Sequence, residues 1–299
     1  MLEKFIVKQI KKQEKQLDDW LNSRSVPNEE GLLKEGVILV DNIDYFGDKK
    51  TCHKMEVLKP INQDIKGVLI NIHGGGLLLG KKEENHASNV LFAKEGFIVY
   101  SLNYSLAPEA KFQEILRSLI VGINKVSELE NSKEIILFGD SAGAYLSVYL
   151  AAMKRNPKIA EAMGSIGSII PEIKALGLIS GMFYTTQLDS IGIFLPKLVY
   201  GANYKKASFY PCLNPENPEI IAFLPPCFLV TGKGDFLRHY SRNYAKALSS
   251  NENDNIFLDM EGKKKLPHAF VSLFPELEES KIIISEMVSF FLSNINKAS

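Results

Sequence analysis

Ser141 lies in the segment Gly139-Asp-Ser-Ala-Gly143, which follows one apolar run and precedes another. The first run predicts a strand buried on both faces of a parallel sheet, and the second, rich in alanine and leucine, predicts a packed helix. Gly139, Ala142 and Gly143 have the small side chains that so tight a turn requires. The Ser141 hydroxyl would then project above the sheet at the positive end of the helix, which suits a nucleophile. The alternative is a turn of small residues that only packs the helix on the sheet.

A second pattern suited to chemistry is His73-Gly74-Gly75-Gly76, which follows the predicted strand Val68 to Ile72. Glycines let backbone N–H groups approach a ligand atom closely, as an oxyanion hole requires. Three glycines alone would favour a flexible turn. Their combination with the serine turn favours an oxyanion hole instead.

A serine nucleophile needs a base to accept its proton and an acid to orient that base. In hydrolases with this kind of serine turn, the acid and then the base follow the serine in the chain. His268 is the only histidine after the last predicted strand, so we predict it as the base. His239 is the closest rival but falls within a predicted helix, and His53 and His86 precede the serine.

Asp235 follows a predicted strand and a glycine turn, which is the position expected for the acid. Its alternative role is to cap the helix that follows. Asp254, Asp259 and Glu261 are weaker candidates because they lie before, within or just after the last predicted strand. Asp140 is predicted to anchor the serine turn.

The elements that must position these residues alternate between strands and helices, which predicts an α/β fold with a mostly parallel twisted sheet and helices on both faces. We expect a single domain over residues 1–299. The predicted strands cover 37–40, 51–58, 68–72, 96–103, 135–138, 175–180, a segment after 225, and 255–260.

Two segments are predicted to form a small helical lid, from about 1–34 and 181–212. Residues 1–22 have the spacing of a basic amphipathic helix, which could alternatively lie on a membrane surface, and 22–34 reads as a loop. Residues 181–212 are rich in aromatic side chains, which favours a lid over an acyl pocket, with ordinary core packing as the alternative.

The composition excludes several function classes. The chain has 299 residues with 35 basic and 35 acidic side chains, so no net charge favours nucleic acid as a partner. Its three cysteines are scattered without metal-ligand spacing, so we expect no metal. Neither a signal peptide nor an 18-residue apolar run is present, and we therefore expect a cytoplasmic protein without stable membrane insertion. Homo-oligomerisation stays open.

Five motifs in this order resemble the hormone-sensitive-lipase-like branch of the α/β-hydrolases, over roughly residues 66 to 270. They are His73-Gly-Gly-Gly76, Asn103-Tyr-Ser-Leu-Ala-Pro-Glu109, Gly139-Asp-Ser-Ala-Gly143, Gly234-Asp-Phe-Leu-Arg238 and Pro267-His-Ala-Phe270. The resemblance implies the α/β-hydrolase fold and a carboxylesterase that acts on small acyl esters without a metal or organic cofactor.

The resemblance also implies a role for each matching residue. Ser141 would be the nucleophile, His268 its base and Asp235 the partner of that base. The oxyanion donors would be backbone N–H groups, those of Gly74, Gly75 and Ala142.

Two departures from the family pattern concern the surroundings of the site. The usual Asp-Tyr-Arg is Asn103-Tyr104-Ser105 in this chain, which removes a charge pair, and His239 stands where a second acid is common.

The sequence thus favours a serine carboxylesterase that cleaves small or short-chain acyl esters through an acyl-enzyme. The same residues would serve a small-peptide or arylamide hydrolase or a metabolite deacetylase, because acyl transfer uses the same groups. A non-catalytic small-molecule binder is the third hypothesis.

Overall fold

The computed structural model describes residues 29–262 and 265–297, together with the isolated positions 12, 15, 16, 19 and 23. Eight strands form one sheet in the order β1-β2-β4-β3-β5-β6-β7-β8. The strands are β1 (Val37–Asp44), β2 (Lys54–Pro60), β3 (Gly67–Ile72), β4 (Phe97–Leu102), β5 (Glu134–Asp140), β6 (Glu172–Ile179), β7 (Cys227–Gly232) and β8 (Asn255–Met260). The pairs β1–β2 and β2–β4 are antiparallel, and all other neighbours are parallel.

The order of the strands reverses direction between β3 and β5. The chain passes from β3 to β4 on one side, and then crosses back over β3 to place β5 on its other side. In the register of this pair, Ile72 lies opposite Gly139. The loops after β3 and β5 therefore leave the same edge of the sheet in opposite directions, and such a switch point opens a crevice at the carboxyl ends of the strands.

Helices cover both faces of the sheet. They are α1 (Glu29–Lys34), α2 (His86–Lys94), α3 (Phe112–Glu130), α4 (Ala142–Arg155), α5 (Pro157–Ala162), α6 (Ser190–Tyr200), α7 (Pro218–Ile221), α8 (Arg238–Ser250), α9 (Phe270–Leu273) and α10 (Glu278–Ile295). Side chains of α3, α4 and α8 belong to one buried cluster, and those of α1, α2, α9 and α10 to a second.

The position of β5 between two helical layers explains why its sequence is apolar at every position from Ile135 to Phe138. Ile135 and Leu137 join the first cluster, whereas Ile136 and Phe138 join the second. Because successive side chains of a strand point to opposite faces, a strand between two helical layers needs apolar residues at every position. The predicted α/β architecture is confirmed.

Three segments differ most clearly from the sequence-based expectation. Residues 29–34, predicted as loop, form α1, in which Leu32 is fully buried and Lys34 pairs with Glu30 at 2.8 Å. Residues 51–53 form a 3₁₀ turn before β2 rather than its first residues. Helix α2 was not predicted; its apolar residues are interrupted by a buried Ser88 and Asn89, so its amphipathic pattern is weak.

The predicted helix over residues 1–22 lies outside the described residues apart from isolated positions. Within the described part of the chain, no helix has the length and apolar character needed to cross a membrane. Among the same residues, no group of three or more histidine, cysteine or acidic side chains could hold a metal ion. Cys52, Cys212 and Cys227 are free thiols.

Candidate active site

Ser141 occupies a sharp turn between β5 and α4. Its backbone has φ 51° and ψ −112°, and a positive φ is uncommon for a residue with a side chain. Hydrogen bonds fix the turn, because the Ser141 amide donates to the Ile179 carbonyl at 2.9 Å and its carbonyl accepts from the Met182 amide at 2.9 Å. The turn therefore holds a strained serine at the positive end of α4.

The glycines around Ser141 allow α4 to pack directly on the end of β3. A Cβ atom on Gly143 would lie 1.8 Å from the Ile72 carbonyl oxygen, and one on Gly139 would lie 2.3 Å from it. No side chain fits at either position, which accounts for both glycines of the motif. Ala142, the first residue of α4, is fully buried.

Asp235 and His268 come together at the ends of β7 and β8. The Nδ1 atom of His268 lies 2.7 Å from Oδ1 of Asp235, and the aspartate side chain is fully buried while 19% of the histidine side chain is exposed. An ionised carboxylate accepts a hydrogen bond from Nδ1–H, so the proton stays on Nδ1 and Nε2 is left as a hydrogen-bond acceptor. The ring of Phe236 packs over the imidazole, with 4.5 Å between the ring centroids.

The carboxylate of Asp235 has its own set of donors. Thr231 donates its hydroxyl to Oδ2 at 2.8 Å, and the Leu237 amide donates to Oδ1 at 2.8 Å. Burial raises the pKa of Asp235, but the hydrogen bond and charge of His268, with donors from Ser180 and Leu237, outweigh it and hold the pKa below its ordinary value. Asp235 therefore stays ionised beside the imidazole.

Hydrogen bonds between consecutive loops connect the serine turn to the histidine. The Ser141 amide donates to Ile179 in β6, and the next residue, Ser180, donates its amide to Val230 in β7 at 2.8 Å. The Ser180 hydroxyl in turn accepts from the Ala269 amide at 3.0 Å. This series places the loop that carries His268 beside the loop that carries Ser141, at one edge of the sheet.

The glycine turn after β3 is supported by the packed rings of a histidine and a tyrosine. His73 is fully buried, stacks on Tyr104 with 4.2 Å between ring centroids, and donates from Nδ1 to the Gly74 carbonyl at 3.0 Å. Burial lowers the pKa of His73 to about 4, so its imidazole is neutral. The Tyr104 hydroxyl donates to the His73 carbonyl at 2.8 Å. His73 thus supports the turn rather than exchanging protons.

The three glycines differ in what their amides contact. The Gly74 amide faces the Asp140 carboxyl, and a Cβ on Gly74 would lie 2.4 Å from Oδ2 of that side chain. Gly75 and Gly76 have φ of 95° and 63° and are half-buried. Within the described part of the chain, no acceptor is found for the amides of Gly75, Gly76 and Ala142. These three amides are therefore available to a ligand.

Two buried carboxyls lie beneath this turn. Asp140 accepts from Nδ2 of Asn85 at 2.7 Å, while Glu84 accepts from the Lys81 amide at 2.7 Å. Burial, followed by the charge of Asp140, raises the pKa of Glu84 to about 8. Burial also raises the pKa of Asp140, but Asn85, the charge of His268 and the Gly74 amide oppose this. The net effect still leaves the pKa of Asp140 above its ordinary value, while its hydrogen bonds anchor the turn.

An apolar cavity of about 230 Å³ opens beside Gly76. Helix α6, from the segment predicted as a lid, supplies one wall of the cavity. The lining residues are Gly76, Leu78, Met182, Ser190, Ile191, Phe194, Leu195 and Leu198. A cavity of this kind suits a small apolar group of a ligand.

The rival histidines lie elsewhere. His239 packs edge-on against Tyr240, His86 contacts Glu56 at 3.0 Å, and His53 contacts Asp48 at 2.8 Å. The rival acids are engaged in surface ion pairs: Arg238 and Arg242 bind both Asp259 and Glu261, and Lys297 binds Asp254.

Sequence reasoning missed the polar residues that support the site. Thr231 precedes the Gly-Lys-Gly turn, Ser180 directly follows β6, and Asn85 lies in a 3₁₀ turn. Each is a polar residue at or next to a strand end or turn, which is a weak signal, and only the tertiary contacts identify the partner of each.

Comparison with known proteins adds the family. A family model described as the alpha/beta hydrolase fold matches residues 69–272. An AB hydrolase superfamily protein from Schizosaccharomyces pombe is 25% identical over 252 residues, which cover 78% of this chain and 74% of that protein. An arylesterase from Saccharolobus solfataricus is 26% identical, over 65% of this chain and 66% of its own length. An acetyl esterase from Salmonella typhi is 24% identical, over 69% and 65%. The chain thus spans about two thirds of the length of these two esterases.

Solved structures share the fold over nearly the whole chain. Esterase B from Lactobacillus rhamnosis HN001 superposes with a TM-score of 0.84 at 18% identity, covering 97% of this chain and 96% of that one. An esterase from the bacterial hormone-sensitive lipase family gives a TM-score of 0.73 at 17% identity, covering 96% and 92%. Since the family model matches well over half of the sequence, this protein belongs to the alpha/beta hydrolase fold family.

Proposed function

We propose that this protein is a serine carboxylesterase that cleaves small or short-chain acyl esters through an acyl-enzyme on Ser141. The observation that carries the proposal is the hydrogen-bonded pair of Asp235 and His268, at the same sheet edge as a strained serine at a helix N-terminus. Nucleophile, base and acid are the groups that ester hydrolysis requires, and they come from loops held in fixed positions by the parallel strands.

In the proposed reaction, Ser141 Oγ attacks the ester carbonyl while Nε2 of His268 takes the hydroxyl proton. Asp235 keeps Nδ1 protonated and stabilises the imidazolium that forms. The tetrahedral intermediate collapses as His268 returns the proton to the leaving alcohol. Water then attacks the acyl-serine with the same base, and the free acid leaves.

The oxyanion of the intermediate would be bound by the amides of Gly75, Gly76 and Ala142. These are the groups near the serine turn that lack an acceptor among the described residues. Gly74, expected from the resemblance as a donor, suits this role less well because its amide already faces Asp140. Each donor contributes about 10²–10³-fold to turnover in comparable sites.

The short-chain preference rests on the apolar cavity of about 230 Å³ beside Gly76. The names of the relatives point the same way, since they include an arylesterase and an acetyl esterase. A structure of Lactobacillus rhamnosis esterase B is described with a C4-C4 tributyrin phosphonate as its inhibitor. Arylamide or small-peptide hydrolysis, metabolite deacetylation and non-catalytic binding stay as alternatives that experiment decides.

Replacement of the nucleophile tests the central assignment. Ser141→Ala should reduce the hydrolysis of 4-nitrophenyl acetate by about 10⁴-fold, since no other hydroxyl lies in this turn. Tandem mass spectrometry should locate the adduct of a fluorophosphonate on Ser141 in the unchanged protein. Ser147→Ala is the control, because that hydroxyl is buried and bonded to the Gly143 carbonyl at 2.9 Å. An adduct on a different residue as the first to form would exclude Ser141 as the nucleophile.

The acid can be identified by two matched substitutions. Asp235→Asn keeps the shape of the side chain but removes the charge that orients His268, so kcat should fall by about 10³–10⁴-fold. Asp259→Asn removes a carboxylate of the same type that binds Arg238 and Arg242 at the surface, and kcat should stay close to that of the unchanged protein. Equal kcat values for the two variants would refute the role of Asp235.

The cavity predicts the acyl-chain profile. Among 4-nitrophenyl esters, kcat/KM should be highest for acyl chains of about two to six carbons, because each buried CH₂ adds affinity until the cavity is full. Leu198→Ala enlarges the cavity and should move the optimum to longer chains, whereas Leu129→Ala at an exposed position should not. Faster hydrolysis of aminoacyl-arylamides than of any ester would instead support the peptidase alternative.

Glu84 predicts a dependence on pH. The folded protein favours the neutral form of the Glu84 carboxyl. The stability that depends on this neutral form is fully present below the ordinary pKa of 4.5 and is lost as pH rises through about 8. Relative to Glu84→Gln, the free energy of unfolding should fall by about 3–5 kcal/mol between these pH values. Turnover should also decline above pH 8, as negative charge forms on Glu84 close to the proposed oxyanion donors.

Urea denaturation and steady-state kinetics at pH 5, 7 and 9 would measure both effects. Glu128→Gln, at a side chain that is 70% exposed, is the control and should reproduce the pH dependence of the unchanged protein. If Glu84→Gln shows the same pH dependence as the unchanged protein, Glu84 does not cause that dependence, and its assignment as a neutral carboxyl at neutral pH fails.

A further inference from the structure

A second Ser–His–Asp arrangement lies outside the site described above. The Oγ atom of Ser105 is 2.9 Å from Nε2 of His53, and Nδ1 of His53 is 2.8 Å from Oδ2 of Asp48. These separations fall within the range expected for a nucleophile, its base and the acid that orients the base. The three residues come from the turn after β1, the 3₁₀ turn before β2 and the loop after β4.

The imidazole of His53 is held in one orientation. It is 5% exposed, and the ring of Phe46 stacks on it with 4.3 Å between centroids and 20° between planes. The carboxylate of Asp48 also accepts from the Lys50 amide at 3.1 Å and so has a fixed position. With Nδ1–H donating to the carboxylate, Nε2 is unprotonated and accepts a hydrogen bond from the Ser105 hydroxyl. This is the tautomer that general-base catalysis requires.

All three residues line a cavity of about 390 Å³. Ser105 is half-buried, so its hydroxyl is accessible from the cavity while its base is covered. Lys50 and Arg117 bring positive charge to the wall, and Glu109 and Glu114 bring negative charge. Charges of both signs suit a small polar ester rather than a long acyl chain.

The cavity also contains groups that could stabilise an oxyanion. Leu106, the residue after the serine, lines the cavity, and its amide has no acceptor within the described ranges. The amide that follows the nucleophile is a usual oxyanion donor in serine hydrolases. The positive charges of Lys50 and Arg117 would act in the same direction.

We infer that Ser105 is a second nucleophilic serine, activated by His53 and Asp48, that accepts acyl groups from small polar esters. Ser105 Oγ bonds to the acyl carbon, the bond from that carbon to the leaving oxygen breaks, and the hydroxyl proton passes through Nε2 of His53 to the leaving oxygen. Water then attacks the acyl carbon, the bond from that carbon to Ser105 Oγ breaks, and the proton of the water passes through Nε2 of His53 to Oγ as the free acid leaves. No cofactor or co-reactant other than water is needed.

Cys52 is the rival nucleophile in the same cavity. Burial, followed by the charge of Asp48, raises the pKa of its thiol, so the thiolate is scarce at neutral pH. The serine, with a base at hydrogen-bond distance, is the more reactive group. Mapping of the modified residue separates the two directly.

The test uses a fluorophosphonate reporter on the full-length Ser141→Ala protein, with the modified residue located by tandem mass spectrometry. One adduct should form, on Ser105. Adding His53→Asn should slow its formation by about 100-fold or more, the usual contribution of a general base. His86→Asn removes another buried histidine paired with a carboxylate, Glu56, and should leave the rate unchanged.

In the protein with Ser141 present, excess reagent should add two groups, a fast one on Ser141 and a slower one on Ser105. Suppose that the Ser141→Ala variant has the same unfolding temperature as the unchanged protein. Absence of an adduct on Ser105 would then overturn the inference, as would an adduct on Cys52 instead. The same would follow if His53→Asn left the rate unchanged. Failure of the Ser141 assignment is separate, because it concerns which residue carries the fast adduct.

Discussion

The close packing of α4 on the end of β3 is the constraint on which the candidate active site depends. The two meet where a Cβ on Gly143 would lie 1.8 Å from the Ile72 carbonyl oxygen. This contact brings the first turn of α4, with Ser141 and Ala142, next to the glycine turn that follows β3. A larger residue at 143 would push the helix outward and separate the Ala142 amide from those of Gly75 and Gly76. The same contact therefore packs the core and sets the positions of the proposed oxyanion donors.

The rest of the site is built outward from this contact by hydrogen bonds between neighbouring strand ends. Ser141 is tied to β6 through Ile179, and Ser180 connects β6 to β7 and to the loop of His268. Catalytic side chains on loops need such supports, because a loop alone does not hold atoms to within a fraction of an ångström. The regular spacing of the strands in the sheet sets the spacing of the loops that follow them.

Local patterns made most of the fold predictable and singled out the candidate catalytic residues. The apolar runs of the central strands are unambiguous because both faces of each strand are buried, and the glycines around Ser141 are required by close contacts. The pairing of Asp235 with His268 followed from their positions after the last strands and from the family resemblance.

What the sequence did not reveal depends on contacts between distant segments. Thr231 and Asn85 are ordinary polar residues until the fold places each beside a buried carboxylate, Asp235 or Asp140. Helix α1 is only six residues long, and Leu32 is buried by tertiary packing that no local pattern records. The amide of Gly74 could be distinguished from those of its neighbours only once Asp140 was seen to face it.

The loop after β4 links the two serine arrangements through adjacent residues. Tyr104 points toward the glycine turn and donates to the His73 carbonyl, whereas Ser105 contacts His53 in the other cavity. Ser105 stands where the resembling family usually has an arginine. The position that lacks the arginine of the familiar charge pair is also the one that places a hydroxyl beside His53, which Asp48 orients. This departure from the family pattern comes with hydrogen bonds from Ser105 to His53 and from His53 to Asp48. These contacts support a nucleophilic role for Ser105 rather than only the loss of a charge pair.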